Sequence, residues 1–170
     1  MTHANSDIGL LILRVVFGLL MAGHGMQKLA GWFGGYGLTK TGEFFVQLGF
    51  RPGHLLAAVA SATETTGGLL VVLGLLGPIG PALIVSVMIV AAVTVHWGNG
   101  IFAGTNGIEI PALYAAAAVA LALVGFGAYS LDSVLGIDAL WTPRWTEVVL
   151  VAGALGGVVN VLMRRTPITA

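Results

Sequence analysis

An all-α helical bundle embedded in a lipid bilayer is the fold class this sequence predicts, and three observations predict it. Of its 170 residues 57% are hydrophobic and only 8% are charged, where ordinary soluble domains are about a quarter charged. The mean hydropathy is +0.98. Several nearly uninterrupted apolar stretches approach the roughly 20 residues that a helix, rising ~1.5 Å per residue, needs to cross a hydrocarbon core of ~30 Å.

The first span is predicted over residues 8–29, broken by Gly31 and the glycines and aromatics of 32–37, which suit a membrane interface. Residues 1–7 lack the positive region of a signal peptide and no small-residue cleavage pattern follows, so this span is expected to be retained. Residues 38–51 read as a surface loop with a short amphipathic helix over 43–48, closed by Arg51-Pro52-Gly53. The second span is predicted over 54–76 and the third over 80–97. The short link Gly77-Pro78 between them forces an antiparallel hairpin. An uncharged loop, 98–107, leads to a fourth helix over 108–129 with Glu109 and Pro111 in its first turn. A last apolar stretch, 148–163, spans if Trp145 and Thr146 are included. The chain thus divides into a four-helix transmembrane unit, 1–135, and an interfacial loop with a fifth span and short tail, 136–170.

With five spans, Lys28, Lys40, Arg51, Arg164 and Arg165 fall on one side and Arg144 on the other. The positive-inside rule then places the N-terminus outside and the C-terminus in the cytoplasm. The absence of cysteine excludes disulfide scaffolds, thiolate metal sites and dithiol exchange by this chain. A net charge of zero, with no basic tract longer than Arg164-Arg165, excludes nucleic acid as a partner.

Polar residues inside spans cost a few kcal/mol each and usually have partners. Counted from their own helix ends, Arg14 lies ~21 Å deep and Glu64 ~15 Å deep, so a buried Arg14–Glu64 ion pair is expected. Such a pair either locks helix register or serves a site. His24, Lys28, His96 and Glu109 all fall at helix ends facing one leaflet, above Glu64, and together they can line one polar cavity. Two imidazoles and two carboxylates suit a transition metal, but no tight ligand spacing is present, so a small-molecule pocket or a structural hydrogen-bond cluster is the stronger reading. His3 and His54 read as solvated or interfacial. The small-residue faces around Gly67-Gly68 and 153–157 permit association between chains or packing within one.

Leu13-Arg14-Val15, Gly23-His24-Gly25-Met26-Gln27-Lys28, Glu64 with Gly67-Gly68-Leu69-Leu70, Val95-His96-Trp97-Gly98-Asn99-Gly100, Asn106-Gly107-Ile108-Glu109 and Tyr129-Ser130-Leu131-Asp132 together resemble the DoxX family of membrane proteins. The resemblance covers about 8–135 and implies a four-helix core, with Arg14, His24, Lys28, Glu64, His96, Glu109 and Asp132 at the family's recurrent polar positions. It also implies a link to small membrane subunits like those of an archaeal thiosulfate:quinone oxidoreductase, or, as described for mycobacterial relatives, to an oxidative-stress complex.

Three functions compete on this basis. In a quinone-associated redox subunit, His24 or His96 would bond a ring oxygen and pass a proton. Glu64 or Glu109 would reload it, and Lys28 or Arg14 would stabilise anionic charge. Quinone would then be bound by Arg14, His24, Lys28, Glu64 and His96, with electrons arriving from a partner subunit or a directly reacting reductant. A non-catalytic anchor would instead recruit redox or stress-response enzymes through 31–51 and the C-terminal tail. Transport of a small solute fits the buried charges, although no inverted repeat is evident.

Overall fold

The computed structural model describes residues 2–166, and among these every regular element is helical. Four helices are long and apolar enough to cross a bilayer: Ala4–Ala30, Gly53–Leu73, Ile79–Asn99 and Pro143–Leu162. They belong to α1 (Thr2–Ala30), α3 (Gly53–Leu73), α4 (Ile79–Ala91, carried on to Asn99 by π-helical and 3-10 turns) and α7 (Pro143–Leu162). Between them lie α2 (Gly37–Gln47), α5 (Glu109–Val124) and the short α6 (Leu131–Leu135). Helix α1 starts six residues earlier than its hydropathy indicates, and α2 is nearly twice the length read from its amphipathic pattern.

Glycines set the packing. A side chain at Gly18 would strike the Gly68 carbonyl oxygen, and one at Gly25 would strike the Ser61 carbonyl oxygen and Thr65. Helices α1 and α3 therefore run antiparallel with their backbones nearly touching, the arrangement that small residues permit in a membrane. Gly153 meets the backbone of Ala82 and Gly157 that of Ser86, so α7 lies parallel to α4. Both small-residue faces noted in the sequence are thus consumed inside the chain. Met21, Val71, Ile84 and Leu121 form the buried centre. Leu13, Val16 and Leu20 on α1, and Leu155, Val159 and Leu162 on α7, are exposed in the manner of lipid-facing side chains.

The fourth predicted helix is shorter than expected. It has 16 residues and stops at Val124, where Gly125 takes φ 89°, and residues 125–130 continue without helix to α6. Glycine among apolar neighbours leaves hydropathy unbroken, so the pattern overran the stop.

The expected Arg14–Glu64 ion pair does not form. Gly18 opposite Gly68 and Gly25 opposite Ser61 fix a register in which Arg14 lies beside Gly74. Gly74 is about ten residues beyond Glu64, or ~15 Å along α3. Counting depth from helix ends failed because the ends of α1 and α3 are not level. Instead, Arg14 is buried with Nη1 donating to the Phe126 carbonyl and Nη2 to the Tyr129 carbonyl, each at 2.9 Å. Backbone outside helices needs such donors where water is absent. Nearby, the buried Asp132 carboxylate accepts from the Leu76 and Gly77 amides at 2.8 and 2.6 Å, capping the α3–α4 link.

Candidate functional site

Helices α1 and α4 end, and α3 and α5 begin, at the end of the bundle that carries Lys28, Lys40 and Arg51. There the structure holds a half-open cavity of about 890 Å³. Helix α2 closes one side with Phe44, Phe45 and Leu48, α3 supplies Leu56 and Val59, and α4 supplies Val87 and Val90. These side chains are apolar, and the exposed Lys40, Glu43 and Gln47 of α2 and Asn160 of α7 border the same space. Thr63 and Thr94, also in the lining, turn their hydroxyls back to the carbonyls of Val59 and Val90 at 2.8 Å, which removes their polarity from the open space.

A polar head lies where the walls meet. Lys28 Nζ is 2.5 Å from Glu64 Oε2, the ammonium partly exposed and the carboxylate buried. Among the described residues this is the one salt bridge, and it replaces the Arg14 partnership expected for Glu64. It is possible because the α1–α3 register sets His24 about level with Glu64, one helical turn before Lys28, so the lysine reaches back along α1. Lys28 also approaches the His24 carbonyl at 3.5 Å.

Both expected histidines line the cavity. His24 Nδ1 is 3.1 Å from Gln27 Oε1, and Gln27 Nε2 donates to the Phe33 carbonyl at 3.3 Å. His96 closes the π-helical turn Ala92–His96 and puts Nδ1 2.8 Å from the Asn106 carbonyl oxygen. The Asn99 amide donates to the same oxygen at 3.3 Å and braces the loop. Tyr114 of α5 sets its ring edge-on to His24, centroids 5.8 Å apart.

Four of the six candidates, His24, Lys28, Glu64 and His96, are therefore brought together. Arg14 is not among them, since it serves the opposite end of the bundle. Glu109 does not line the cavity either. Its carboxylate accepts from the Ala103 amide at 2.6 Å, because an acid at a helix start finds loop amides nearest, so it holds the α4–α5 loop. His54 is exposed with its ring against Gly42, and the side chain of His3 lies outside the described residues. Among the described residues no three His, Asp or Glu side chains are grouped to hold a metal ion.

Sequence reasoning missed Tyr114, Gln27 and Asn106. Tyr114 had a signal, a polar-tipped residue inside the run Leu113 to Ala118. Asn106 acts through its backbone and had none.

The spans and this cavity define a multi-pass helical membrane protein with a pocket that is apolar along its walls and polar at its head. Within that class the chain belongs to the DoxX family, whose model matches residues 9–97, from the first span to the end of the third. No curated protein and no solved structure matches the chain.

Proposed function

We propose that the cavity holds the head of a membrane-soluble quinone, with its tail between the helices, and that the protein is the membrane subunit of a quinone-linked redox system in the cell membrane. The observation that carries this reading is the pairing of a largely apolar space of about 890 Å³ with the polar group His24, Lys28, Glu64 and His96. The volume lies in the range of small-molecule sites. A water-soluble metabolite would leave Phe44, Leu48, Leu56 and Val59 without matching surface. A bare acyl chain would leave His24, His96 and the Lys28–Glu64 pair without polar partners.

The donor set fits a quinone head: two imidazoles, a phenol and an ion pair surround the space where ring oxygens would lie. When bound, a quinone supplies the two-electron, two-proton couple that these side chains lack. His24 and His96 orient the head group through hydrogen bonds at their free nitrogens, and the Tyr114 hydroxyl adds a third contact. The Lys28 ammonium holds a proton against the Glu64 carboxylate at the buried side of the head. Electrons reach the site from a partner protein or a directly reacting reductant. In this reading the N-terminus lies outside and the tail in the cytoplasm, because Lys28, Lys40, Arg51, Arg164 and Arg165 gather at one end. Single cysteines introduced at Ala139 and Thr166 and labelled from one side of intact cells test that orientation, since the chain has no native cysteine to interfere.

An anchor for redox or stress-response enzymes is the second reading. One contact favours it: the Arg165 amide donates to the Gly49 carbonyl at 2.9 Å, which joins the tail to the α2–α3 corner in one exposed surface.

Native mass spectrometry with lipid extraction, on protein released gently from its own membrane, separates the two. Stoichiometric quinone in the wild type, lost in a folded His24→Ala/His96→Ala variant, supports the first reading. Phospholipid alone in the wild type, with protein partners retained by the variant, refutes it and favours the anchor.

A further inference from the structure

We infer that the cavity is set to receive a head group that donates hydrogen bonds, and so binds the hydroxyl-bearing, reduced form of its ligand in preference to the dione; this rests on the quinone reading above. The argument turns on where the two imidazoles keep their hydrogens. His96 Nδ1 lies 2.8 Å from the Asn106 carbonyl oxygen. A carbonyl oxygen only accepts, so the hydrogen of this contact belongs to Nδ1. A neutral imidazole carries only one, so Nε2 is left as a bare lone pair.

The same holds at His24 through one more link. Gln27 Nε2 donates to the Phe33 carbonyl, which fixes the orientation of the amide and turns Oε1 toward His24 Nδ1. Nδ1 is again the donor and Nε2 the acceptor. Neither Nε2 has a partner among the described residues, neither is a buried orphan, and both side chains line the cavity. Both rings thus meet the ligand as acceptors, held so by protein groups behind them.

Around the head, Glu64 adds a carboxylate with one oxygen committed to Lys28. Next to the imidazoles and Glu64, the Tyr114 hydroxyl and the ammonium hydrogens of Lys28 that Glu64 does not occupy can donate, and Lys40, Gln47 and Asn160 bring further N–H groups to the cavity lining. A dione has only acceptor oxygens, and against the imidazoles it sets lone pair against lone pair. A diol brings an O–H to each. Reversing the tautomer of His96 to suit a dione would set the bare Nδ1 lone pair against the Asn106 carbonyl oxygen at 2.8 Å, losing one hydrogen bond to gain another and adding a repulsion.

The test uses the full chain in phosphatidylcholine nanodiscs under anoxic conditions. Binding of a decyl-substituted benzoquinone and of its dithionite-reduced diol is measured by filtration against protein-free nanodiscs. Two added hydrogen bonds predict at least about tenfold tighter binding of the diol. Gln27→Met, which frees the His24 ring, is expected to shrink that ratio several-fold and leave His96 in place. Nitrogen-15 spectra of imidazole-labelled protein supply a readout that needs no ligand, with protonated Nδ1 and bare Nε2 expected at both residues. Equal or tighter binding of the dione overturns this inference and leaves the quinone reading standing, as does the opposite tautomer. An unaltered ratio in Gln27→Met overturns the two-imidazole argument. Absence of binding by either form overturns the quinone reading and this inference together.

Discussion

Replacing Arg14 by lysine keeps a cation in place and removes the fork, which makes it a clean probe of the far end of the bundle. The guanidinium reaches two carbonyls three residues apart, Phe126 and Tyr129, through separate nitrogens at 2.9 Å each. An ammonium is a single point donor and reaches one of them. The ammonium is the more strongly hydrated cation, so its burial costs no less than the guanidinium's and the hydrogen-bond difference sets a lower bound. That difference is one hydrogen bond from a charged donor, worth ~1.5–3 kcal/mol. Arg14→Lys is therefore expected to lower stability by at least about 2 kcal/mol, roughly a thirtyfold change in the unfolding equilibrium. The assay is reversible unfolding in mixed micelles, with amide exchange over residues 126–130 as the local readout. Wild-type stability together with unchanged exchange would refute the claim that Arg14 holds this non-helical segment.

Lys28→Met strands the buried Glu64 carboxylate and is expected to cost ~2–3 kcal/mol, while adding Glu64→Leu restores at least half of it; a double variant no better than the single would show that the pair contributes by attraction alone. Asp132→Ala removes the acceptor for two link amides and should cost about 3 kcal/mol in the same unfolding assay. Gly25→Val forces a side chain to within 2.6 Å of the Ser61 carbonyl oxygen and should lower stability by at least ~3 kcal/mol. Gly9→Ala, in the same helix with nothing within 4 Å of the added carbon, should be neutral or up to ~1 kcal/mol stabilising. Similar losses for the two glycine variants would count against the α1–α3 register.

That register marks the boundary of what the amino-acid sequence disclosed. The spans were legible because a bilayer demands long apolar runs, and the topology was legible from the short link at Gly77-Pro78. Topology alone sufficed to bring His24, Lys28, Glu64 and His96 toward one end of the bundle. The partner of Glu64 was not legible, because it depends on how far α1 slides along α3, and backbone contacts at Gly18 and Gly25 decide that. Any glycine in either helix would look the same in one dimension. The end of α5 was hidden for a related reason: Gly125 interrupts the helix without interrupting hydropathy. Glu109 was read as facing the cavity from its place at a helix start, yet that place hands it the Ala103 amide first.

The shortness of α5 has a consequence for the surrounding membrane. Sixteen residues of helix rise ~24 Å, against a typical hydrocarbon thickness of ~30 Å and ~40 Å for the span Ala4–Ala30. The bundle therefore meets lipid with a wall of uneven height, lowest where residues 125–130 leave the helix. Acyl chains beside that sector must shorten or tilt, at a fraction of a kcal/mol per ångström of mismatch. Bilayer thickness thereby becomes a mechanical load applied at one flank of the molecule, and thin membranes relieve it.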